Sequence, residues 1–270
     1  MKRLENILRA RLINHKLLVP FVTAGYPDEA RFRELLPALE QAGADAIEIG
    51  LPFSDPLADG PVIQRCSTAA IAQGMHTQRA LELSAELSAK LGIPLLAMGY
   101  CNPLLSYGLE RFLTEAEACG LLGLIVPDLP LGADPRAERL IAESPLARIQ
   151  LVTPASGLAR IARLARTAEG FIYLVSRLGV TGGRLGITSD LPETTATLRD
   201  NCSLPLLTGF GVSDPLSAAQ AAAQSDGVIV GTALLERLEA EDAVQTAADF
   251  LATIREGLDR PQAASQESAG

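Results

Sequence analysis

The chain first becomes strongly apolar at Leu17-Leu18-Val19-Pro20-Phe21-Val22-Thr23, a run of the length expected for a buried strand. Similar short runs recur, and segments rich in Ala, Leu, Glu and Arg with helical spacing, such as Arg79–Leu91 and Arg160–Arg166, separate them. The seven later runs are Ala46–Gly50, Ile93–Met98, Leu121–Val126, Arg148–Val152, Phe171–Val175, Leu204–Gly209 and Gly227–Gly231. Eight alternating strand and helix units in 270 residues predict an α/β fold, a single (β/α)8 TIM barrel.

The alternative is a doubly wound parallel sheet, in which the phosphate-binding fingerprint G-x-G-x-x-G should follow the first strand. The residues found there are Thr23-Ala24-Gly25-Tyr26-Pro27. Gly209-Phe210-Gly211 comes late in the chain and lacks the third glycine. The sequence therefore favours the barrel over a dinucleotide-binding sheet.

Two segments depart from the regular alternation. An apolar stripe at helical spacing predicts an extra helix before the first strand, covering the bottom of the barrel. The stripe consists of Leu4, Ile7, Leu8 and Leu12. After the second strand, a long loop punctuated by proline precedes two helical stretches at about Pro61–Gly74 and Thr77–Leu91. Loops this long on the carboxyl side of barrel strands are usually functional.

The domain organisation is simple. The sequence has no linker that would divide the chain, so residues 1–258 are expected to form one barrel domain. Residues 259–270 are polar and rich in Gln, Ser and Ala, which predicts a disordered tail.

Charge and hydropathy exclude several classes of partner. The 23 basic and 32 acidic side chains give a net charge of −9, which argues against nucleic acid. No apolar run approaches the ~20 residues that span a bilayer, and the first residues do not form a secretory segment. A cytoplasmic protein without membrane association is expected.

Cysteine and histidine usage argues against a metal or redox site. The four cysteines include no C-x-x-C pair, and His15 and His76 are too few for a histidine-rich metal site. Acid–base chemistry is therefore expected to fall to carboxylates.

Glu48 is the first candidate for that chemistry. In Ala46-Ile47-Glu48-Ile49-Gly50 the side chains alternate, so the two isoleucines should face the helices while Glu48 points into the barrel. A carboxylate desolvated there has a raised pKa, which suits proton transfer near neutral pH. The alternative is a buried Glu that pairs with an Arg for structural reasons.

Asp59 and Asp55 lie in the long loop that follows Glu48. Two carboxylates at one barrel mouth could divide the acid and base duties. Asp59 precedes Gly60-Pro61, which looks like a turn entering a helix, so its alternative role is an N-terminal cap. Asp55 precedes Pro56, and its alternative role is that of a turn carboxylate.

Glycine-bearing segments after the sixth, seventh and eighth strands predict a phosphate site. They are Gly179-Val180-Thr181-Gly182-Gly183, Gly209-Phe210-Gly211 and Gly231-Thr232. Glycine lets backbone N–H groups approach an anion, and the helix expected over Ala233–Leu238 would direct its amino end at the same ligand. Barrels commonly hold phosphate at the loops after strands seven and eight. Ordinary turns with a Thr cap are the alternative, and the sequence favours a phosphorylated small molecule.

The loop after the second strand also carries a specific signature. It reads Glu48-Ile49-Gly50-Leu51-Pro52-Phe53-Ser54-Asp55-Pro56-Leu57-Ala58-Asp59-Gly60-Pro61. Accompanying segments, within about residues 4–256, are Pro20-Phe21-Val22-Thr23-Ala24-Gly25-Tyr26-Pro27, Asn102-Pro103, Leu124-Ile125-Val126-Pro127-Asp128-Leu129-Pro130, Ser176-Arg177-Leu178-Gly179-Val180-Thr181-Gly182 and Gly209-Phe210-Gly211. Together they closely resemble the tryptophan synthase alpha chain family, whose members have the (β/α)8 fold.

The resemblance implies a lyase that reversibly cleaves indole-3-glycerol phosphate to indole and glyceraldehyde 3-phosphate by a retro-aldol reaction. Glu48 matches the family carboxylate that transfers protons, and Asp59 matches the one that holds the indole N–H. Further positions that match the family's substrate site are Phe21, Tyr100, Tyr173 and Ile229 around the indole, Thr181 and Gly182 in the mobile loop that closes the site, and Gly209, Phe210, Gly211, Gly231 and Thr232 at the phosphate.

The resemblance also implies a partner, a pyridoxal-phosphate-dependent beta chain that takes indole onward in an assembly of two alpha and two beta chains. This chain is then expected to carry no cofactor of its own. Pro52, Asp55 and Pro56 are expected to contact the partner, because prolines stiffen the loop and reduce the entropy lost on docking. The alternatives are a stand-alone lyase that releases free indole, a non-catalytic activator of a beta chain, and another sugar-phosphate barrel enzyme.

Several positions depart from the common family pattern, among them Thr208 and Thr153-Pro154-Ala155-Ser156, from which the sequence gives no functional change. Thr232 stands where serine is common, and it keeps the hydroxyl. Gly99 is smaller than the residue usual before Tyr100, so the shape of the indole pocket is left open by the sequence.

Overall fold

A closed parallel barrel forms the centre of the protein in the computed structural model, which describes residues 2–175, 191–209 and 211–260. The strands in these ranges are β1 Leu17–Thr23, β2 Ile47–Gly50, β3 Leu95–Met98, β4 Leu121–Ile125, β5 Ala147–Val152, β6 Ile172–Val175, β7 Leu206–Gly209 and β8 Gly227–Val230. They pair in chain order, and β8 returns to pair with β1. The predicted barrel is confirmed, and each strand begins and ends within two residues of the expected position.

Helices follow the strands and surround the barrel. In the described ranges they are α1 Arg3–Leu12, α2 Glu29–Gln41, α3 Pro61–Ala72, α4 Thr77–Ser88, α5 Cys101–Tyr107, α6 Leu109–Ala118, α7 Pro135–Glu143, α8 Leu158–Thr167, α9 Leu191–Asn201, α10 Pro215–Ala223, α11 Thr232–Arg237 and α12 Ala243–Asp259. The two helical stretches predicted after the second strand correspond to α3 and α4. No helix in the described part of the chain combines the length and the apolar character needed to cross a membrane.

Side-chain alternation along the strands separates two apolar layers. Ile47 and Ile49 of β2 belong to a buried cluster with helix residues such as Phe32 and Leu36. Ala46, just before β2, belongs instead to the cluster inside the barrel. Branched side chains on the outer face of the sheet thus hold the helices, and the inner face is left for the residues between them.

Helix α1 covers the amino end of the barrel, as the apolar stripe predicts. Leu4 and Leu8 are fully buried in the interior cluster. A Cβ added at Gly170 would lie 2.8 Å from Leu4, so glycine leaves the space that this leucine fills. Arg9 also donates a hydrogen bond to the Ser203 carbonyl, just before β7, at 2.7 Å.

The chain after α12 is only partly described. Asp259, the first residue of the predicted tail, is still the last residue of α12. Residues 261–270 lie outside the described residues. The single domain over 1–258 and the disordered tail over 259–270 stay predictions.

Candidate active site

Glu48 lies in β2, on the inner face of the barrel. Its side chain is completely buried, and neither carboxylate oxygen has a hydrogen-bond partner among the described residues. Burial, and after it the negative charge of Asp59, raises the pKa of Glu48 to about 8. No arginine among the described residues pairs with Glu48, so the described part of the chain does not support the alternative of a structural pair with an Arg. At neutral pH the side chain keeps its proton.

Asp59 lies at the end of the loop after β2, directly before α3. Gly60 is the N-cap residue of α3, so the alternative in which Asp59 caps this helix is wrong. Burial raises the pKa of Asp59, and the hydrogen bond from the Tyr100 hydroxyl acts in the opposite direction. Within the described ranges the Asp59 carboxylate has a tyrosine as its partner and no cation in an ion pair with it.

Tyr100 ties that loop to the next one. The residue follows β3, and its side chain is buried. Its hydroxyl oxygen accepts the Ala58 amide N–H at 3.1 Å, and its ring centroid lies 5.6 Å from that of Phe53. Asp128, in the loop after β4, accepts the Cys101 amide N–H at 2.8 Å and so fixes the start of α5 beside Tyr100. The loop that carries Asp59 therefore rests on two neighbouring loops.

A small pocket opens at the barrel mouth beside Asp59. Its lining consists of Phe21, Thr23, Gly50, Leu51, Asp59, Ile63, Ser67, Met98 and Tyr100. The lining thus combines apolar side chains with three hydroxyl groups and one carboxylate.

Sequence reasoning found only part of this pocket. It identified Phe21, Asp59 and Tyr100, but it missed the other side chains in the lining. Thr23 lies two residues after Phe21 on β1, so strand alternation could have found it. Ile63 and Ser67 lie four residues apart on one face of α3 and could have been found by helical spacing.

Gly99 has a structural explanation in the same pocket. A Cβ added at Gly99 would lie 2.9 Å from Cδ1 of Leu51 and 3.5 Å from Cδ2 of Leu104. Leu51 therefore occupies the space that a larger residue 99 would need. Because Leu51 lines the pocket, its side chain sets the wall at this point.

Tyr173 on β6 and Ile229 on β8 both belong to the apolar cluster inside the barrel, and β8 is the neighbour of β1. A Cβ added at Gly209 would come within 2.4 Å of the Tyr173 ring, so glycine at this position makes room for the tyrosine. Burial, followed by the charges of Glu48 and Asp59, raises the pKa of Tyr173 well above its ordinary value. The tyrosine hydroxyl thus stays protonated within electrostatic reach of both carboxylates.

The predicted phosphate residues that are described lie at one edge of the mouth. Gly209 ends β7, and Gly211 has a φ of 77°, in the left-handed region that favours glycine. Gly231 is the N-cap residue of α11 and Thr232 is the first residue of that helix. Strands β7 and β8 are neighbours, so these segments meet. Thr181, Gly182 and Phe210 lie outside the described residues.

The predicted partner contacts differ in exposure. Pro52 and Pro56 are buried, whereas Asp55 and Leu57 are exposed, Leu57 to 90%. The Ser54 hydroxyl donates a hydrogen bond to Oδ2 of Asp55 at 2.5 Å. The two prolines support the loop from the inside, and the residues between and after them face outward.

The described residues contain no group of three or more His, Cys, Asp or Glu side chains arranged to hold a metal ion. The four cysteines are free thiols.

Fold and site define the class of the protein, a (β/α)8 barrel with a desolvated pair of carboxylates at its mouth. The model of the tryptophan synthase alpha chain family matches residues 8–260. The tryptophan synthase alpha chain of Chloroflexus aurantiacus is 42% identical over 95% of this chain and 98% of its own length. That of Geobacter sulfurreducens is 41% identical over 91% of this chain and 94% of its own.

Solved structures agree with these relatives. The alpha chain from Legionella pneumophila has a TM-score of 0.86 at 32% identity, covering 97% of this chain and 99% of that chain. Tryptophan synthase from M. tuberculosis has a TM-score of 0.85 at 31% identity, covering 96% and 100%. The chain belongs to the tryptophan synthase alpha chain family.

This membership makes the chain a lyase of tryptophan biosynthesis that cleaves indole-3-glycerol phosphate. An alpha chain implies a beta-chain partner, and alpha chains of this family generally carry no cofactor of their own.

Proposed function

We propose that the barrel mouth cleaves indole-3-glycerol phosphate with Glu48 as the proton-transferring group and Asp59 as the acceptor of the indole N–H. The observation that carries this assignment is the state of Glu48, which is buried, without a hydrogen-bond partner among the described residues, and shifted to a pKa of about 8. A carboxyl group that keeps its proton at neutral pH can act as an acid, and its conjugate base can then accept a proton.

The reaction needs two proton transfers and one bond cleavage. Glu48 donates its proton to C3 of the indole, which places positive charge on the ring nitrogen. Asp59 accepts a hydrogen bond from the indole N–H and stabilises this charge. The glycerol hydroxyl on the carbon bonded to C3 then gives its proton to the Glu48 carboxylate and becomes the aldehyde oxygen. The electrons of the broken C–C bond return to the ring, so indole and glyceraldehyde 3-phosphate leave and Glu48 is protonated as before.

The remaining predicted site residues support binding. The apolar wall around Phe21 and Tyr100 would hold the indole, together with Tyr173 and Ile229 from the cluster inside the barrel. The phosphate would bind at Gly209, Phe210, Gly211, Gly231 and Thr232. Support for this comes from the left-handed backbone of Gly211 and from the first amides of α11, which have no partner within a helix. Thr181 and Gly182 would belong to the loop that closes the site.

The proposed partner is a pyridoxal-phosphate-dependent beta chain, in an assembly of two alpha and two beta chains in the cytoplasm. Asp55 and Leu57 would contact it, because both are exposed at the barrel mouth on a loop that Pro52 and Pro56 support from within. Docking there would press on the loop that carries Asp59 and so couple the partner to the lyase reaction.

The test is indole release from indole-3-glycerol phosphate by the purified chain, with and without a beta chain. Asp59→Asn should lower turnover by about 10²–10⁴-fold, since a positioned acid–base or charge-stabilising group supplies about that factor. Asp55→Asn is the matched control, because it neutralises an exposed carboxylate on the same loop and should leave the isolated chain near its basal rate. Near-normal turnover in well-folded Asp59→Asn would contradict the assignment.

A further inference from the structure

The hydroxyl of Thr23 lines the pocket but has no part in the proposed chemistry. Thr23 is the last residue of β1, is only 1% exposed, and its Oγ1 has no hydrogen-bond partner among the described residues. A buried hydroxyl without a partner is costly, and such a group in a native structure calls for an explanation. At this mouth the hydroxyl shares that condition with the two carboxylate oxygens of Glu48.

The surroundings of Thr23 point to Asp59 as its partner. In the register between β1 and β2, Thr23 lies opposite Gly50, which has no side chain to satisfy the hydroxyl. Thr23 and Asp59 line the same small pocket, together with Tyr100. The Asp59 carboxylate already accepts the Tyr100 hydroxyl, and an ionised carboxylate has room for further donors.

We propose that Thr23 is a positioning residue, whose hydroxyl donates a hydrogen bond to the Asp59 carboxylate when indole-3-glycerol phosphate fills the pocket. The inference rests on the proposed role of Asp59. With Tyr100 and Thr23 as donors, the carboxylate is fixed toward the indole N–H. Among the described residues the Thr23 hydroxyl has no partner in the free protein. The carboxylate that it orients faces positive charge that develops on the indole ring only as C3 is protonated, so the hydrogen bond matters most in the transition state and favours turnover rather than binding alone.

This difference between free and bound states has a signature in the pH dependence. The groups that face Asp59 are Glu48, Tyr100 and Tyr173. A further donor stabilises the ionised carboxylate and lowers its pKa. Loss of the Thr23 hydroxyl should therefore raise the pKa of Asp59 in the complex and leave it unchanged in the free protein.

The experiment compares Thr23→Val, which removes the hydroxyl at nearly constant shape, with Thr23→Ser, which keeps it. We expect Thr23→Val to lower kcat about tenfold, the factor that corresponds to roughly 1.4 kcal/mol, with little change in KM. In the variant, the acid limb of the pH profile of kcat should move to higher pH. The acid limb of the pH profile of kcat/KM, which reports the free protein, should stay in place. Thr23→Ser should stay within about threefold of the parent. The urea midpoint of ligand-free Thr23→Val should be equal or higher, because no hydrogen bond is lost.

Three outcomes would overturn the inference. Parental kcat in Thr23→Val would show that the hydroxyl takes no part in turnover. Equal losses in Thr23→Val and Thr23→Ser, or a loss of kcat together with a lower urea midpoint, would assign the effect to packing. Asp59→Asn separates this inference from the function it rests on: an inactive Asp59→Asn with a normal Thr23→Val rejects only the role of Thr23, whereas an active Asp59→Asn rejects the role of Asp59 itself.

Discussion

Glu48 and Asp45 lie three residues apart in the chain and are almost equally buried, at 0% and 1% exposure, yet their surroundings are opposite. Asp45 lies at the bottom of the barrel, just before β2. One of its carboxylate oxygens accepts the Leu18 amide N–H at 2.9 Å, and the other lies 2.7 Å from Nε2 of His15. Glu48 lies farther toward the mouth, and its carboxylate has no hydrogen-bond partner among the described residues.

Two arginines complete the contrast. Arg11, from the end of α1, lies 3.4 Å from Asp45, and Arg255, from α12, lies 3.3 Å from it. Asp45 thus connects the first helix, the first strand and the last helix. A buried carboxylate with several donors holds the fold together, whereas the Glu48 carboxyl group, which lacks them among the described residues, keeps its proton and is free to react. Stability at Asp45, just before β2, and chemistry at Glu48, within β2, are thus separated by three residues of the chain.

The largest effect is expected at the mouth. Glu48→Gln keeps the shape of the side chain but can neither donate nor accept the transferred proton. Turnover should fall by about 10²–10⁴-fold, measured as indole release at saturating substrate. Near-parental turnover in well-folded Glu48→Gln would contradict the catalytic role that distinguishes Glu48 from Asp45.

The pH dependence of the stability of Glu48→Gln provides a second test, this time of the raised pKa of Glu48. The pKa of Glu48 is raised to about 8 in the folded protein, well above the value near 4.3 of an unfolded chain. Between these values the folded state binds the extra proton, so the parent protein should lose stability as pH rises from about 5 to about 8. Glu48→Gln should lack this part of the pH dependence and be the more stable protein at pH 8. Urea unfolding at pH 5 and pH 8 measures both, and an identical pH dependence in parent and variant would reject the raised pKa.

At the bottom of the barrel, a substitution of Asp45 should affect stability strongly and turnover little. Asp45→Asn removes the charge that Arg11, His15 and Arg255 share. The free energy of unfolding should fall by about 3 kcal/mol, the lower end for breaking a buried ion pair, because Arg11 and His15 are partly exposed. Turnover of the folded fraction should stay within about twofold of the parent, since this carboxylate lies away from the mouth. A variant of parental stability, or one that is stable but inactive, would contradict the division between the two ends.

A third prediction separates binding from proton transfer within the mouth. Gly211→Asp places a carboxylate where the phosphate is proposed to bind, and it should weaken glycerol 3-phosphate binding about 100-fold, or about 2.7 kcal/mol. Gly211→Asn is the matched control, because asparagine has the same size and also tolerates the left-handed backbone. Binding of indole propanol, which has no phosphate, should change little in both. Calorimetry that shows both ligands equally weakened by Gly211→Asp would indicate local misfolding instead.

Local patterns in the sequence predict the orientation of Glu48 but not the partners of Asp45. Strand alternation correctly turned Glu48 inward, because Ile47 and Ile49 on either side need the helix layer. The partners of Asp45 lie 30 and 210 residues away at His15 and Arg255, and no local pattern joins them.

Shape is the other feature that sequence reasoning could not reach. Gly99 looked like a gap in the indole pocket, but Leu51 fills it, and only the three-dimensional packing shows that compensation. Asp59 preceded a helix and so looked like its cap, because a cap and a catalytic carboxylate share the same turn chemistry. The Tyr100 hydroxyl that distinguishes the two roles comes from a separate part of the chain, after β3.

The smallest effect is expected at the exposed residues of the loop between β2 and α3, Asp55 and Leu57. Asp55 is exposed and does not contact the pocket, so Asp55→Ala should leave the basal rate of the isolated chain within about twofold. If this loop is the docking surface, loss of one exposed charged contact should reduce activation by a beta chain severalfold, which corresponds to about 1 kcal/mol. Titration of the chain with a beta chain, with indole release as the readout, measures both quantities in one series. Leu57→Ala is the companion variant, because Leu57 is 90% exposed. This substitution should lower the affinity for the partner through lost apolar contact. Equal losses with and without the beta chain would show that the loop serves only its own active site, and a fully active chain that no beta chain stimulates would favour the stand-alone lyase.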